Sequence, residues 1–594
     1  MNTTIHAELT NAGDRIVLLA TGPIDEIAYA AKQLQQLTPL IKTSEPKGAL
    51  VLPATWPAVV QLAAVYASGW RPGPRLQAWT REQTVRRLAP VDTPLSVPVP
   101  AGLTPRPYQV AGAQLIAATG HALISDEPGT GKTITAILGL GERSGQDQSR
   151  GLPILIVAPA SVVDPWVDAF RAWAPYWTTL AWRGSPKRRA ALFGTADVYV
   201  TSYDTARMDA GDTNPGHSPL IALDPASLVV DEHHLVKNPH AARTAAVRRL
   251  ARNVKAFVAL SGTPITHHPA DLWPTLTCLA PGAWPSRERW VNRYCLSAPA
   301  DYGETILGLN PGTEPEFRLT LLGQTRRVAK ADVLDQLPPK VYSIRTVELP
   351  PAYRKAYDAL ERDMLAEMPD GGELSVMDVL AQLTCLSRMA CAAADVQITI
   401  ETVEDGYGGT IEKRHIHLEL KAPSWKVDAL LEVLAERPGK PVITFAPSAQ
   451  LIKLAGQAAA AAGLRVGYVV GGQSMKERTA TVEAFQAGQL DVLCATTGGG
   501  GVGITLTAAG TVVFLQRPWS LVESMQAEDR AHRIGSEIHE SIEIVDIIAT
   551  DTIDTRVRAV LREKAGQLAD LVQDKRIVAE LLGGASVTRL RKVS

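Results

Sequence analysis

The sequence predicts an α/β fold of two parallel-sheet lobes with helical insertions, preceded by a small N-terminal α+β module. Three observations predict it. β-rich apolar runs alternate with helix-length stretches in a first series: HALIS, ILIVAP, DVYVTSY, LVVDE and FVALSGTP. A second series follows after about residue 425: VITFAP, LRVGYVV, DVLCATT, TVVFLQR and IEIVDII. Each run is followed by enough chain to cross back over a sheet, the pattern of βαβ units whose strands are buried on both faces. The third observation is size, since 594 residues exceed a single core at roughly 100–200 residues per domain.

Along the chain, residues 1–88 hold an apolar run (Ile16 to Ala20) and two helix-like stretches, near Glu26 to Leu37 and Trp56 to Ser68. They carry no chemical motif and read as an accessory module of unknown role. Prolines between Pro90 and Pro105 remove backbone donors and favour extended chain, which marks 89–104 as a linker. The first lobe is expected over 105–275 and a helical insertion over 276–424. That insertion contains a hairpin, VQITIETVEDGYGGTIEKRHIHLEL, turned by Asp405-Gly406 and Gly408-Gly409. The second lobe is expected over 425–560, with a helical tail over 561–594.

Lys plus Arg is 60 and Asp plus Glu is 61, a net charge of -1, so no global field announces a polyanionic partner. Any nucleic-acid contact must rest on local patches, such as Trp182 to Arg189 and the tail Arg589-Leu590-Arg591-Lys592. The 46% hydrophobic content excludes a largely disordered chain. Five cysteines without a CxxC pair fit neither a disulfide scaffold nor a zinc site. Apolar stretches such as Ile154 to Val163 fall short of the ~18 residues of a membrane span, so a cytoplasmic protein with no membrane partner is expected.

The chemistry begins at Asp126-Glu127-Pro128-Gly129-Thr130-Gly131-Lys132-Thr133, after the HALIS strand and before the helix-forming ITAILGL. Glycines there let backbone N–H groups turn onto phosphate oxygens. Lys132 reaches the β and γ phosphates, and the Thr133 hydroxyl ligates Mg²⁺. Asp126 stands where the general pattern has its first glycine. A Mg·ATP site also needs acid at the tip of a neighbouring strand. LVVDE supplies Asp231 for the metal and Glu232 as general base or water positioner. The competing idea is a metal cluster of His233, His234 and His240, but adjacent histidines diverge and no cysteine lies near. Positive charge on the far side of the γ phosphate is expected from Arg530 and Arg533, three residues apart on one helical face after Gln526. A solvated basic face is the alternative reading of such a pair.

These residues resemble a known family, the superfamily-two helicase-like ATPases, and within them the SWI/SNF-related DNA translocases, from about Leu103 to Arg556. LTPRPYQVAGAQLI is similar to the Q-type motif, SDEPGTGKT to motif I, and IVAPASVVDPWVDAF to motif Ia. DEHHLVKNPHAARTAAVRRL resembles motif II and LSGTPITHHPADLW motif III. GGQSMKER, ATTGGGGVGITLTAA and QAEDRAHRIGS resemble the later motifs, and RRVAKADVLDQLPPKVYSIRTVEL the entry into the second lobe. The resemblance implies two RecA-like P-loop lobes and ATP with Mg²⁺ as cofactors. It implies that Gln109 reads the adenine with Arg106 and Tyr108 nearby, that Gly129, Thr130, Gly131 and Gly503 line the nucleotide, and that Gln526, Arg530 and Arg533 complete the catalytic set. Ser261, Gly262 and Thr263 are implied to couple ATP state to DNA grip. The implied activity is translocation along duplex DNA through sequence-independent backbone contacts. The alternatives are a strand-separating DNA or RNA helicase, or the motor subunit of a restriction or defence complex. His233, Thr266, His267 and His268 depart from the family pattern.

Overall fold

Alternation in TIHAEL and RIVLLAT buries one side of a small N-terminal sheet. The computed structural model describes the chain outside residues 1–3, 24, 26–31, 33–40, 43–49, 66–69, 88–93, 146–150, 212–217, 266–267, 301–302, 335, 367–375, 405–409, 499–503, 560 and 562–594. Most of the helix expected from Glu26 to Leu37, the 405–409 turn and most of the 561–594 tail therefore lie outside the described residues. The N-terminal strands β1 (Thr4–Leu9), β2 (Arg15–Thr21), β3 (Ile41–Lys42), β4 (Leu50–Pro53) and β5 (Trp70–Pro72) form a mixed sheet ordered β3-β4-β2-β1-β5. The helix Trp56–Val65 buries Trp56, Val59, Val60 and Leu62. Trp56 Nε1 donates to the Gly323 carbonyl at 2.6 Å, and a Cβ at Gly323 would stand 2.7 Å from Val60. A glycine is required there by close approach.

The described residues divide into two units, one up to Val333 and one from Leu334 onward. The first unit's main sheet uses β6 (His121–Ile124), β7 (Ile154–Ala158), β8 (Thr179–Ala181), β9 (Val198–Ser202), β10 (Ser227–Asp231) and β11 (Ala256–Leu260). After the hairpin β12 (Cys295–Ala300) and β13 (Gly303–Leu309), β14 (Thr325–Arg326) completes it. The order is β14-β6-β11-β10-β7-β9-β8, every neighbour parallel. The wholly buried β7 and β11 explain why these runs are continuously apolar.

The second unit's sheet takes β15 (Lys340–Val347), then, past the hairpin β16 (Ala393–Glu404) and β17 (Thr410–Lys421), β18 (Val442–Ala446), β19 (Val466–Val469), β20 (Val492–Thr496), β21 (Thr511–Phe514) and β22 (Ile542–Ala549). Its order is β15-β22-β21-β18-β20-β19, again parallel throughout. The fold is thus two RecA-like α/β lobes with a small N-terminal sheet module.

Two expectations need correction. Residues 276–424 are no separate helical insertion, because β14 pairs with β6 in the first sheet and β15 with β22 in the second. The stretch 89–104 is anchored in its described part. Val97 is buried against Ala113 and Leu138, while Ser96 and Val97 N–H groups donate to Glu142 at 2.8 and 3.1 Å.

A buried charge knot fixes the β15 edge of the second sheet. Glu528 accepts from Lys340 Nζ at 3.0 Å and Arg517 at 2.6 Å, and Arg517 also holds Asp546 at 2.7 Å while lying over the Phe514 ring. Burial pushes the Glu528 carboxyl up, but Lys340 and Arg517 outweigh it and hold it below the usual range. An acid whose folded pKa is depressed contributes stability above its unfolded pKa, and loses it as pH falls through the folded value. Glu528→Gln is therefore expected to destabilise this unit by about 1–3 kcal/mol at pH 7. The gap from the native chain should narrow below roughly pH 4.3. Urea unfolding of the full chain at pH 7 and pH 4 checks it, and a gap that widens in acid contradicts the assignment.

Candidate nucleotide site

The loop after β6 closes onto the N-terminus of the helix Lys132–Ser144. Gly129 (φ 84°) and Gly131 (φ 82°) adopt left-handed backbone, a conformation that strains any residue with a Cβ. A Cβ on Gly131 would also stand 2.5 Å from Gln109 Nε2. Lys132 Nζ donates to the carbonyls of Asp126 (2.8 Å) and Glu127 (3.3 Å). Thr133 follows it in the helix's first turn. Thr130 is buried, with Oγ1 donating to the Glu127 carbonyl at 2.8 Å. Its own carbonyl accepts from Tyr108 Oη at 2.8 Å and Gln109 Nε2 at 3.0 Å.

Gln109 engages protein at both ends of its amide, because Oε1 also accepts from the Arg106 N–H at 2.9 Å. In this structure it braces the loop, and Arg106 caps the helix Pro107–Thr119. Asp126, expected in the phosphate cradle, contributes its backbone carbonyl there while its buried carboxylate pairs with Arg326. The reason is electrostatic: a buried carboxylate beside phosphates is repelled unless a cation neutralises it. Arg326 also donates to the Tyr108 carbonyl. Arg327 reaches the Gly262 carbonyl at 3.0 Å and Glu127 at 3.5 Å, and Glu127 N–H donates to the Val328 carbonyl at 3.0 Å. The stretch Arg326 to Val328, at the end of β14, therefore clamps the phosphate loop and ties it to Gly262. Sequence reasoning missed this role; the Arg-Arg pair carried a signal, but its acidic partners lie some two hundred positions away.

Asp231 ends β10, two places from β6 in the sheet. Its Oδ2 accepts from Trp166 Nε1 at 2.8 Å and its Oδ1 from the Glu232 N–H at 3.0 Å. Burial first, then the Glu232 charge, push the Asp231 carboxyl up to about 6, against the Trp166 bond and the Lys132 charge. Glu232 has left-handed backbone (φ 52°), an outlier for a side chain of this size. Burial raises its carboxyl too, but the bond and charge of His234, with Lys132, outweigh this and hold it below the usual range. Oε2 lies 3.3 Å from His234 Nδ1 and 3.4 Å from Ser261 Oγ. Ser261 in turn bonds His234 at 3.0 Å and accepts from the Thr263 N–H at 3.1 Å. Glu232 and the SGT turn thus share one network. His233 takes a different partner, Thr275 Oγ1 at 3.1 Å, and burial pulls its ring down to about 3.

Trp166 was not singled out from the sequence, although it sits in the segment PWVDAF. It orients Asp231 as an outer partner orients a metal ligand. Trp166→Phe is expected to raise the Mg²⁺ concentration needed for half-maximal ATP hydrolysis by on the order of tenfold. A magnesium titration of the turnover rate measures this, and an unchanged midpoint contradicts it.

In the second unit the helix Leu521–Glu528 carries Gln526 and stops there. Arg530 and Arg533, expected on one helical face, sit on the turns that follow. The chain departs because Ala531 and His532 N–H groups both go to the Glu528 carbonyl, and the Arg530 carbonyl accepts from Leu506 N–H at 2.9 Å. Arg530 is buried, its Nη2 donating to the Thr497 carbonyl at 3.3 Å. Among the described residues its Nη1 has no partner, nor have the Oγ1 atoms of Thr496 and Thr497. Burial and then the Arg478 charge pull its guanidinium down to about 10. Arg533 donates to the Ile504 carbonyl at 3.3 Å. Gly503 lies outside the described residues.

A glycine cradle with a lysine, and an Asp-Glu pair two strands away, define a P-loop hydrolase of the helicase-like kind. Residues 108–395 match the SNF2-related domain, and residues 425–535 the helicase conserved C-terminal domain. The TATA-binding protein-associated factor mot1 of Aspergillus fumigatus is 25% identical over 544 residues, covering 81% of this chain and 27% of that protein. The ISWI chromatin-remodeling complex ATPase CHR17 of Arabidopsis thaliana is 26% identical over 491 residues, covering 80% and 43%. The chain thus spans less than half the length of these relatives. The Sulfolobus solfataricus SWI2/SNF2 ATPase core in complex with dsDNA is similar at a TM-score of 0.37 and 20% identity, covering 84% of this chain and 100% of that one. The chain belongs to the SNF2-related helicase-like ATPases.

Proposed function

We propose that the chain is an ATP-driven motor that moves along duplex DNA by gripping its backbone without regard to sequence. The observation that carries this is the split of the chemistry. A phosphate loop and acid pair stand on one unit, and a buried, partly unpaired arginine stands on the other. The donor set fits Mg·ATP: the loop glycines and Lys132 would hold the phosphates, and the Thr133 hydroxyl and Asp231 carboxylate, both hard oxygen ligands, the metal. Bound Mg²⁺ would neutralise phosphate charge as the terminal bond breaks. Glu232, held ionised, orients the attacking water and takes its proton. Arg530 and Arg533 stabilise charge on the γ-phosphate oxygens. Within the first unit, the Glu232–His234–Ser261–Thr263 network would carry the change at the γ phosphate to the SGT turn.

The relatives' names point to work on chromatin or on a DNA-bound factor. The shared length carries the motor, so only the motor is proposed here. ATP turnover with single-stranded, double-stranded and forked DNA, and with RNA, tests the reading. Several-fold stimulation by duplex is expected. A rate that duplex leaves unchanged sinks the proposal, and stimulation by RNA alone supports an RNA helicase instead.

A further inference from the structure

Between His233 and Ala270 the sequence holds Lys237, Arg243, Arg248, Arg249, Arg252 and Lys255, with no Asp or Glu. In a chain where acids make up 61 of 594 residues, about four would be expected there at random composition, so this is a local basic field in a neutral protein. The fold gathers its centre into a groove. The helix Ala242–Leu250 and the end of the helix Trp273–Leu279 enclose a cavity of about 450 Å³, and Arg248, Arg249 and Arg252 line it opposite Thr277, Cys278 and Pro281. Arg248, on the helix, and Arg252, just past its end, are both exposed and both line the groove. The Arg248 guanidinium lies over the Trp273 ring, 5.3 Å from its centroid, and Arg249 is tied by its Nε to the Ala210 carbonyl at 2.8 Å. Among the described residues, no carboxylate lines the groove. The patch at Trp182 to Arg189 differs, because Arg189 is buried against Asp209 at 2.6 Å and Arg183 pairs with Asp164 at 2.9 Å.

We propose that this groove is a phosphodiester-binding site, a second contact for the nucleic-acid backbone on the helix that follows the Asp231-Glu232 strand end. The inference rests on the DNA-motor reading. Guanidiniums held by an indole and a carbonyl are pre-positioned to donate paired hydrogen bonds to phosphate oxygens. A mixed wall with no acid accepts a backbone while reading no base. Phosphate contacts of this kind let a motor stay attached while the contacts that change with nucleotide state release.

The test is duplex binding by fluorescence anisotropy across a potassium chloride series, using the full chain and its Arg248→Gln/Arg252→Gln variant. Each phosphate contact contributes about 0.9 to the slope of log affinity against log salt. The variant's slope is expected to fall by about two, with roughly tenfold weaker binding at low salt. ATP turnover without DNA should be unchanged, which also shows that the variant folds. Arg248→Lys/Arg252→Lys should restore the slope. If the native chain binds duplex and the variant keeps its slope and affinity, the groove proposal falls and the motor reading stands. Failure of the native chain to bind any duplex overturns both. Inorganic phosphate or polyglutamate bound by the native chain and lost in the variant, with DNA binding unmoved, assigns the groove to another anion and overturns the proposal.

Discussion

Lys132→Ala is expected to lower ATP turnover by on the order of 10³ while leaving the fold intact. The side chain rests on two carbonyls of its own loop, at 2.8 and 3.3 Å. Removing it uncovers acceptors at the loop's mouth that water can satisfy. The lost charge is the one that phosphate oxygens would meet, and it is also near enough to lower the Asp231 and Glu232 carboxyls. The substitution should therefore weaken phosphate binding and leave both acids easier to protonate. Phosphate release under saturating ATP, paired with a thermal melt, measures both. Native-like turnover in a chain that melts normally removes Lys132 from the site.

Glu232→Gln separates binding from chemistry. The amide keeps the volume and can still meet His234 and Ser261, but it cannot accept a proton from water. Turnover should fall by on the order of 10²–10⁴. Binding of a fluorescent ATP analogue should persist, with slow nucleotide release. Single-turnover and binding experiments distinguish the two. A variant that fails to bind nucleotide, or one that turns over normally, contradicts the role of Glu232 as base.

The strands that carry the site were legible because each is buried on both faces. LVVDE and HALIS read as continuous apolar runs that end where polar chemistry begins, and they are β10 with its Asp231 and β6 before the phosphate loop. The glycines at 129 and 131 were legible because only glycine takes that backbone cheaply. The two-residue strand β14 has no periodicity to detect, and its Arg326, with Arg327 just after it, meets Asp126 and Glu127 only once the sheet has formed. Trp166 was hidden for a related reason, since an indole in an amphipathic helix reads as core until its N–H is seen to face Asp231. From the sequence, the helix carrying Gln526 is expected to run on to Arg533. What ends it at Glu528 is a carbonyl shared by two N–H groups and a loop bond to Leu506, which local propensity does not encode.

The Trp56 indole changes how the N-terminal module should be regarded. It is fastened to Gly323, and three residues later the same segment supplies Arg326 and Arg327, the two guanidiniums that hold the phosphate loop. A chain started at Leu103 thus lacks the indole that stands behind the clamp on the phosphate loop. Strain on the helix that carries Trp56 would thus reach the phosphate loop through Gly323 and the Arg326-Arg327 pair.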